Sequence, residues 1–230
     1  MGGNAPFIVF NDADIDAAVQ GAMISKYRNA GQTCVCSNRF LVQSSVAEEF
    51  TAKFTEAVKK LVVGNGDEDG VTVGPLIDQK AAVGVCAFID DAVAKGAKVT
   101  IGGGMSSRGG SFVEPTILVN VSRDMRVFSE EIFGPVAPIF TFENEDEAIE
   151  MANDTEFGLA AYFYSRDIGR VYRVAEQLEY GIIGINEGII SNEMAPFGGV
   201  KESGSGREGS KYGMDDYMDI KYICVGGIDK

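Results

Sequence analysis

Apolar positions recur along the chain with two different periods. A continuous apolar run at residues 6–10 (PFIVF) predicts a buried strand. Asp12 and Asp14 then offer N-caps to a helix that carries Ile15, Ala18, Val19, Ala22 and Met23 on one face and that Gly31 should end. Residues 39–43 (RFLVQ) predict a second strand. Two helices follow. The first has Val46, Phe50, Phe54, Ala57, Val58 and Leu61 at helical spacing; the second, over residues 77–95, turns Ala82, Val85, Cys86, Ile89, Ala92 and Val93 inward. The glycine-rich residues 102–110 form a surface loop by composition. Beyond them, strands are expected at 112–121, 136–142, 159–164 and 181–185. Helices are expected at 144–153 and at 167–179, the latter with Ile168, Val171, Ala175 and Leu178 inward. Strands alternating with amphipathic helices predict an α/β fold, a largely parallel twisted sheet flanked by helices.

The pattern changes after residue 187. Residues 188–213 are glycine-rich and irregular, and the run is too long for a mere connector, which predicts a functional loop. Residues 217–225 (YMDIKYICV) alternate like a strand with nothing left in the chain to pair with; adding to another domain or subunit would cover that edge.

Composition narrows the chemistry. The 230 residues are 45% hydrophobic, enough to bury a sizeable core. No apolar run approaches a bilayer span and no signal peptide opens the chain, so a soluble intracellular protein is expected. A net charge of −14 argues against nucleic acid or an anionic membrane as partner. Four unevenly spaced cysteines are not a disulfide framework, and a reducing compartment follows. The absence of histidine excludes more than any other feature: no Ser-His-Asp triad, no Cys-His dyad, no ordinary zinc-hydrolase site. Chemistry must rest on Cys, carboxylates, Lys, Arg, Tyr and main-chain amides.

Three stretches could carry such chemistry. In Gly31-Gln32-Thr33-Cys34-Val35-Cys36, the polar neighbours Asn29, Gln32, Thr33 and Asn38 would be wasteful around a core thiol. A nucleophilic Cys34 therefore stands against the plain alternative, a small buried hydrophobe, which is the reading for Cys86 and Cys224. Without imidazole, the thiol must ionise through main-chain amides, a carboxylate base or nearby cations such as Lys26 and Arg28. Cys34 and Cys36 could also close a strained disulfide. A lone CxC lacks the further ligands of a metal site, so no metal is expected. The second stretch, Glu130-Glu131-Ile132-Phe133-Gly134-Pro135, and the third, residues 196–208 with Phe197 and Glu208, equally suit solvated turns when each is taken alone.

In this order the stretches resemble the aldehyde dehydrogenase superfamily, and the resemblance covers the whole chain. Gly2-Gly3-Asn4-Ala5-Pro6 looks like the end of its glutamate-leucine-glycine-glycine motif, Gly31 to Cys34 like its cysteine signature, and Glu130 to Pro135 like its nicotinamide-ribose motif. Pro196 to Gly199 and Gly206-Arg207-Glu208 match its C-terminal elements. Lys26 to Ala30, Cys36, Asn186-Glu187-Gly188 with Ser191, and Gly209 to Gly213 look like succinate-semialdehyde dehydrogenases in particular.

The resemblance implies that Cys34 attacks an aldehyde to give a thiohemiacetal and then a thioester. It places Gly2, Glu131 and Phe133 at NAD or NADP, and Arg28, Ser191 and Phe197 at the substrate. Glu208 becomes a second catalytic carboxylate, and Cys34/Cys36 a redox switch. It also implies a catalytic domain at residues 1–213, an oligomerisation tail at 214–230, and a homo-oligomer in the cytoplasm, or in the mitochondrial matrix of a eukaryote. The family's general-base glutamate, oxyanion asparagine, second substrate arginine and dinucleotide-binding domain would all lie ahead of Met1. No appreciable turnover is therefore expected from the chain alone. The alternatives are a dehydrogenase for another semialdehyde or aldehyde, and a non-catalytic thiol redox module.

Overall fold

The computed structural model of the chain describes residues 2–228. Strand β1 (Ala5–Val9) is followed by helix α1 (Ile15–Tyr27), capped by the Asp14 side chain, which accepts from the Ala17 amide. Then come β2 (Ser37–Gln43), α2 (Ser44–Val58), α3 (Gln79–Ala94), β3 (Lys98–Ile101), β4 (Thr116–Val119), the single turn α4 (Arg126–Ser129) and β5 (Val136–Phe142). The remaining elements are α5 (Glu145–Asn153), β6 (Phe157–Gly158), β7 (Ala160–Tyr164), α6 (Ile168–Gln177), β8 (Ile182–Ile185) and β9 (Val200–Lys201).

Seven strands form one sheet in the order β3-β4-β5-β2-β1-β7-β8, all neighbours parallel except β3 against β4; β6 and β9 pair separately. Because side chains alternate across a strand, each central strand feeds two cores. Phe7, Val9, Phe40, Val42, Tyr162 and Tyr164 face α1 and α2, while Ile8, Phe10, Leu41, Phe140, Ala161 and Phe163 face α3, α5 and α6. The α/β fold with a largely parallel sheet is as the sequence predicts. Among the described residues, no helix is long and apolar enough to cross a membrane.

Several expectations need correction. Helix α1 ends at Tyr27 rather than at Gly31, because Asn29, Ala30 and Gly31 all adopt left-handed φ of 52°, 53° and 78°. Ile168 is 69% exposed, and Val174 takes its place as the buried anchor of α6. Val93 is exposed while Phe88 packs inward from α3. Strand β8 is an edge rather than a buried strand. The tail forms no strand among the described residues: a 3-10 helix spans Tyr212–Tyr217, and Ile220, Tyr222, Ile223 and Val225 are open to solvent. Cys224 shares that exposure and is not a core residue. Main-chain ladder groups need a partner edge; the expectation placed that edge in another domain or subunit, and no strand among the described residues pairs with the segment.

Candidate active site

In parallel α/β sheets, ligands usually sit beyond the carboxyl ends of the strands. Here the candidate residues gather at the opposite end. Gly2 and Gly3 lead into β1, Cys34 lies ahead of β2, and Glu131 ahead of β5. The β1–β2–β5 pairing therefore brings three segments distant in sequence to one rim of the sheet.

The loop that presents Cys34 is held on every side. The left-handed turn at residues 29–31 reverses the chain leaving α1, and Gly31 packs so tightly that a Cβ there would lie 2.2 Å from the Gly134 carbonyl oxygen. Asn29 Nδ2 donates to the Gln32 carbonyl at 2.9 Å, Gln32 Nε2 donates back to the Asn29 carbonyl at 3.1 Å, and Gln32 Oε1 accepts from the Ile77 amide at 2.8 Å. Beyond Cys34, the Val35 carbonyl accepts from the Tyr162 hydroxyl at 2.6 Å. The thiol itself is half-buried against the α1-side core, as is Phe197.

Glu131 is the carboxylate brought to this thiol. A Cβ on Gly3 would stand 2.2 Å from the Cys34 carbonyl oxygen and 3.6 Å from Glu131 Oε1, so a bare glycine is what separates the two residues. Glu131 Oε1 accepts from the Gly3 amide at 3.2 Å. Burial pushes its carboxyl up from the usual value of 4.5 to about 7, against the lowering effects of the Gly3 amide and of Lys26. Lys26 is 1% exposed, and burial drives its ammonium down to about 8 although the charges of Cys36 and Glu131 favour the cation.

Cys34 departs from the sequence expectation in one respect. Burial raises its pKa, its own main-chain N–H opposes this, and the charges of Glu131 and Cys36 add to the rise. The sequence offered Lys26 and Arg28 as cations to ionise it. Lys26 instead serves Cys36 and Glu131, and Arg28 is exposed and forms no salt bridge among the described residues.

Cys36 is buried, shares a 2.6 Å hydrogen bond with Thr33 Oγ1 and is not joined to Cys34. Glu208 and Phe197 exchange both main-chain hydrogen bonds, at 2.7 and 2.9 Å, beside a cavity of about 250 Å³. Among the described residues, no hydrogen bond joins Glu208 to Cys34. Ser191 is exposed, in the segment that leaves Gly188 against Gly21 of α1. The Gly2 carbonyl accepts from Ser203 Oγ at 2.7 Å, which ties the glycine-rich loop to the start of β1.

A family model for the aldehyde dehydrogenase family matches residues 1–223. This chain belongs to that family. It is 64% identical over 228 residues to glutarate-semialdehyde dehydrogenase of Pseudomonas aeruginosa, covering 99% of this chain and 47% of that protein. It is 62% identical over 226 residues to the NADP(+) succinate-semialdehyde dehydrogenase of Escherichia coli, covering 98% of this chain and 47% of that protein. The solved structure of succinate-semialdehyde dehydrogenase from Burkholderia pseudomallei superimposes with a TM-score of 0.97 at 63% identity, over 98% of this chain and 47% of that one. The chain spans about half the length of the relatives it matches.

Members of this family use NAD(P), and two features of this rim leave room for contact with such a ligand. One oxygen of Glu131 accepts from Gly3 while the other accepts no hydrogen bond among the described residues, leaving it open to a hydroxyl donor. Phe133 holds φ at 52° and remains 45% exposed. A bulky side chain in the left-handed region is strained, and such strain collects at ligand sites. Among the described residues, no group of His, Cys, Asp and Glu side chains could hold a metal ion.

The ionisation of Glu131 has a measurable consequence for stability. Its folded value of about 7 lies above the ordinary 4.5, so between these pH values the folded chain keeps a proton that the unfolded chain has released. Stability contributed at this position therefore falls as pH rises from about 4.5 to about 7. Discounted for solvent screening, Glu131→Gln is expected to stabilise the chain by about 1 kcal/mol at pH 8 and to leave it unchanged near pH 4. Urea unfolding at the two pH values measures the difference; an equal shift at both would place the cause elsewhere.

Sequence reasoning gave the order of these segments but missed the buried amides Asn4 and Asn38 as a pair. The available signal was polar Asn38 and Arg39 at the head of an otherwise apolar strand.

Proposed function

We propose that the chain is the thiol-bearing part of a dehydrogenase that oxidises succinate semialdehyde to succinate with NAD or NADP. The observation that carries this reading is Cys34 in a rigid, half-buried loop with Glu131 across the Gly3 main chain. The Cys34 sulfur, once ionised, forms a C–S bond to the aldehyde carbon, and the oxygen takes the charge near the Cys34 main-chain N–H, as in an oxyanion hole. A bound NAD or NADP would supply the hydride acceptor for this carbon. Glu131, with Gly2 and Phe133, would hold that cofactor. Water then adds to the thioester carbon, the C–S bond breaks, and the acid and the free thiol are released. Glu208 would relay protons at this stage.

The substrate end is read from Arg28, Ser191 and Phe197. The Arg28 guanidinium, exposed and in no salt bridge among the described residues, suits a distal carboxylate by bidentate geometry, Ser191 would donate to the same group, and half-buried Phe197 would line the aldehyde path. The part of the relatives that this chain does not match would supply the dinucleotide-binding domain and the water-activating carboxylate. The exposed tail would add as a strand to a second copy, giving a homo-oligomer. Oxidation by a peroxide would join Cys34 and Cys36 in a disulfide, two thiols losing two protons and two electrons, and so cap the nucleophile.

A chimera tests this, with the unmatched N-terminal part of the Escherichia coli relative placed ahead of this chain. It is expected to reduce NAD(P)⁺ with succinate semialdehyde. Arg28→Ala should raise KM for succinate semialdehyde on the order of 10²-fold while changing that for a neutral aldehyde of equal length by less than about threefold. Equal losses would defeat the carboxylate assignment. Preference for glutarate semialdehyde would favour the second reading, which the 64% identical relative supports.

A further inference from the structure

Glu131 is useful only if its carboxylate stays beside Gly3 and Cys34, and it sits in a short irregular stretch between the single turn α4 and β5. Nothing in regular secondary structure fixes it there. The peptide groups on either side of it are instead held by one side chain. Asn38 Oδ1 accepts from the Ile132 amide at 3.0 Å, and Asn38 Nδ2 donates to the Glu130 carbonyl at 2.9 Å. A carboxamide offers one acceptor and two donors, so it can imitate a neighbouring strand toward exactly one residue. The second donor of Asn38 goes to Asn4 Oδ1 at 2.7 Å, and Asn4 Nδ2 donates in turn to the Phe128 carbonyl at 3.0 Å. Asn4 is 1% and Asn38 3% exposed. The network admits only one orientation of the Asn38 amide, since its oxygen meets an N–H and its nitrogen meets two oxygens.

We infer that Asn38, oriented by Asn4, is a positioning residue that locks Glu131 against the Cys34 loop. Both asparagines belong to the rim they organise: Asn4 follows Gly3 directly, and Asn38 lies on β2, four residues after Cys34. The clamp thus ties the Gly3 segment, the Cys34 loop and the Glu131 stretch into one unit. Losing the Asn38 amide costs most at the Ile132 N–H, whose hydrogen bond is buried, while the Glu130 carbonyl is part-buried. Without the clamp, Glu131 gains a route to solvent. Among the described residues, the groups that face Glu131 are the Cys34 thiol, the Lys26 ammonium from α1 and the Gly3 amide.

The inference rests on the proposed roles of Cys34 and Glu131, but its test reads only the chemistry of Cys34 in this chain. A chimera without dehydrogenase turnover would leave the result intact. The alkylation rate of Cys34 by iodoacetamide is followed against pH, located by tandem mass spectrometry. Glu131 ionises near pH 7 and its charge opposes the thiolate. The profile of the unsubstituted chain should therefore flatten just above pH 7 before rising again.

Glu131→Gln is expected to remove that shoulder and speed alkylation at pH 8 by roughly threefold to tenfold. Asn38→Leu should do the same by releasing Glu131, and should add nothing when combined with Glu131→Gln. A rate change of equal size with and without Glu131 would reduce Asn38 to a purely structural part and overturn the inference. So would an Asn38→Leu profile that keeps the shoulder. Asn38→Ser, too short to reach both peptide groups, serves where leucine prevents folding. In the unsubstituted chain the Ile132 amide must also resist hydrogen exchange; exchange as fast as in the exposed loop at residues 102–110 would show the clamp open and refute it.

Discussion

Cys34→Ala is expected to lower turnover of the chimera on the order of 10⁴-fold or more, whereas Cys36→Ser should stay within about threefold of the parent. The asymmetry follows from placement. Cys34 is half-buried at a rim shared with Gly3 and Glu131, while Cys36 is buried and bonded to Thr33. Removing a covalent nucleophile costs about that much because the remaining groups have no bond-forming partner to assist. Cys36→Ser carries a second expectation: activity lost to dilute peroxide should return only in part with dithiothreitol, since without a resolving thiol the Cys34 sulfenic acid goes on to sulfinic acid. Steady-state rates before oxidation, after it and after reduction decide both. Comparable losses for the two single variants would mean that the loop, rather than the Cys34 sulfur, had been damaged.

Gly3→Ala should lower the rate on the order of 10²-fold, although it adds one methyl group. The new Cβ, fixed on Cα, would lie 2.2 Å from the main-chain carbonyl oxygen of Cys34, and neither atom can rotate away. Either β1 or the Cys34 loop must move by about 1 Å. Displacements of that size at a reacting centre cost on the order of 10² in rate, and the overpacking itself costs about 1–3 kcal/mol. Gly84 provides the contrast. It lies in α3 with no atom within 4 Å of its would-be Cβ, so Gly84→Ala should leave activity alone and stabilise the helix by about 0.5–1 kcal/mol. Measured kcat and urea midpoints for the two variants should diverge in both quantities. A Gly3→Ala chimera with parental kcat would show that the contact with Cys34 has no catalytic weight.

The sequence made the architecture legible where pattern and burial coincide. Strand β5 occupies the residues its apolar run marked, and the period-2 alternation of Phe7, Ile8, Val9 and Phe10 is what divides them between two cores. It misplaced the end of α1, because three consecutive left-handed residues cannot be read from Asn29-Ala30-Gly31 when the central alanine disfavours that conformation. It put Ile168 inside α6 by spacing alone, without knowing where the sheet ends. At the site, Cys34 and Glu131 could be named, but not joined. They are far apart in the chain, and only the β2–β5 pairing brings their segments together. Nor could the sequence show that burial would raise the thiol rather than cations lower it, since Lys26 turns toward Cys36 and Glu131.

Cys34 as the atom that becomes acylated is the point on which the functional reading stands. Acid quenching of the chimera during turnover of succinate semialdehyde with NAD(P)⁺, followed by peptide mapping, tests it most directly. The account expects a succinyl group in thioester linkage on Cys34, absent without cofactor and absent in Cys34→Ala. Turnover with no acyl group on Cys34, or with one carried by Cys36, would contradict it.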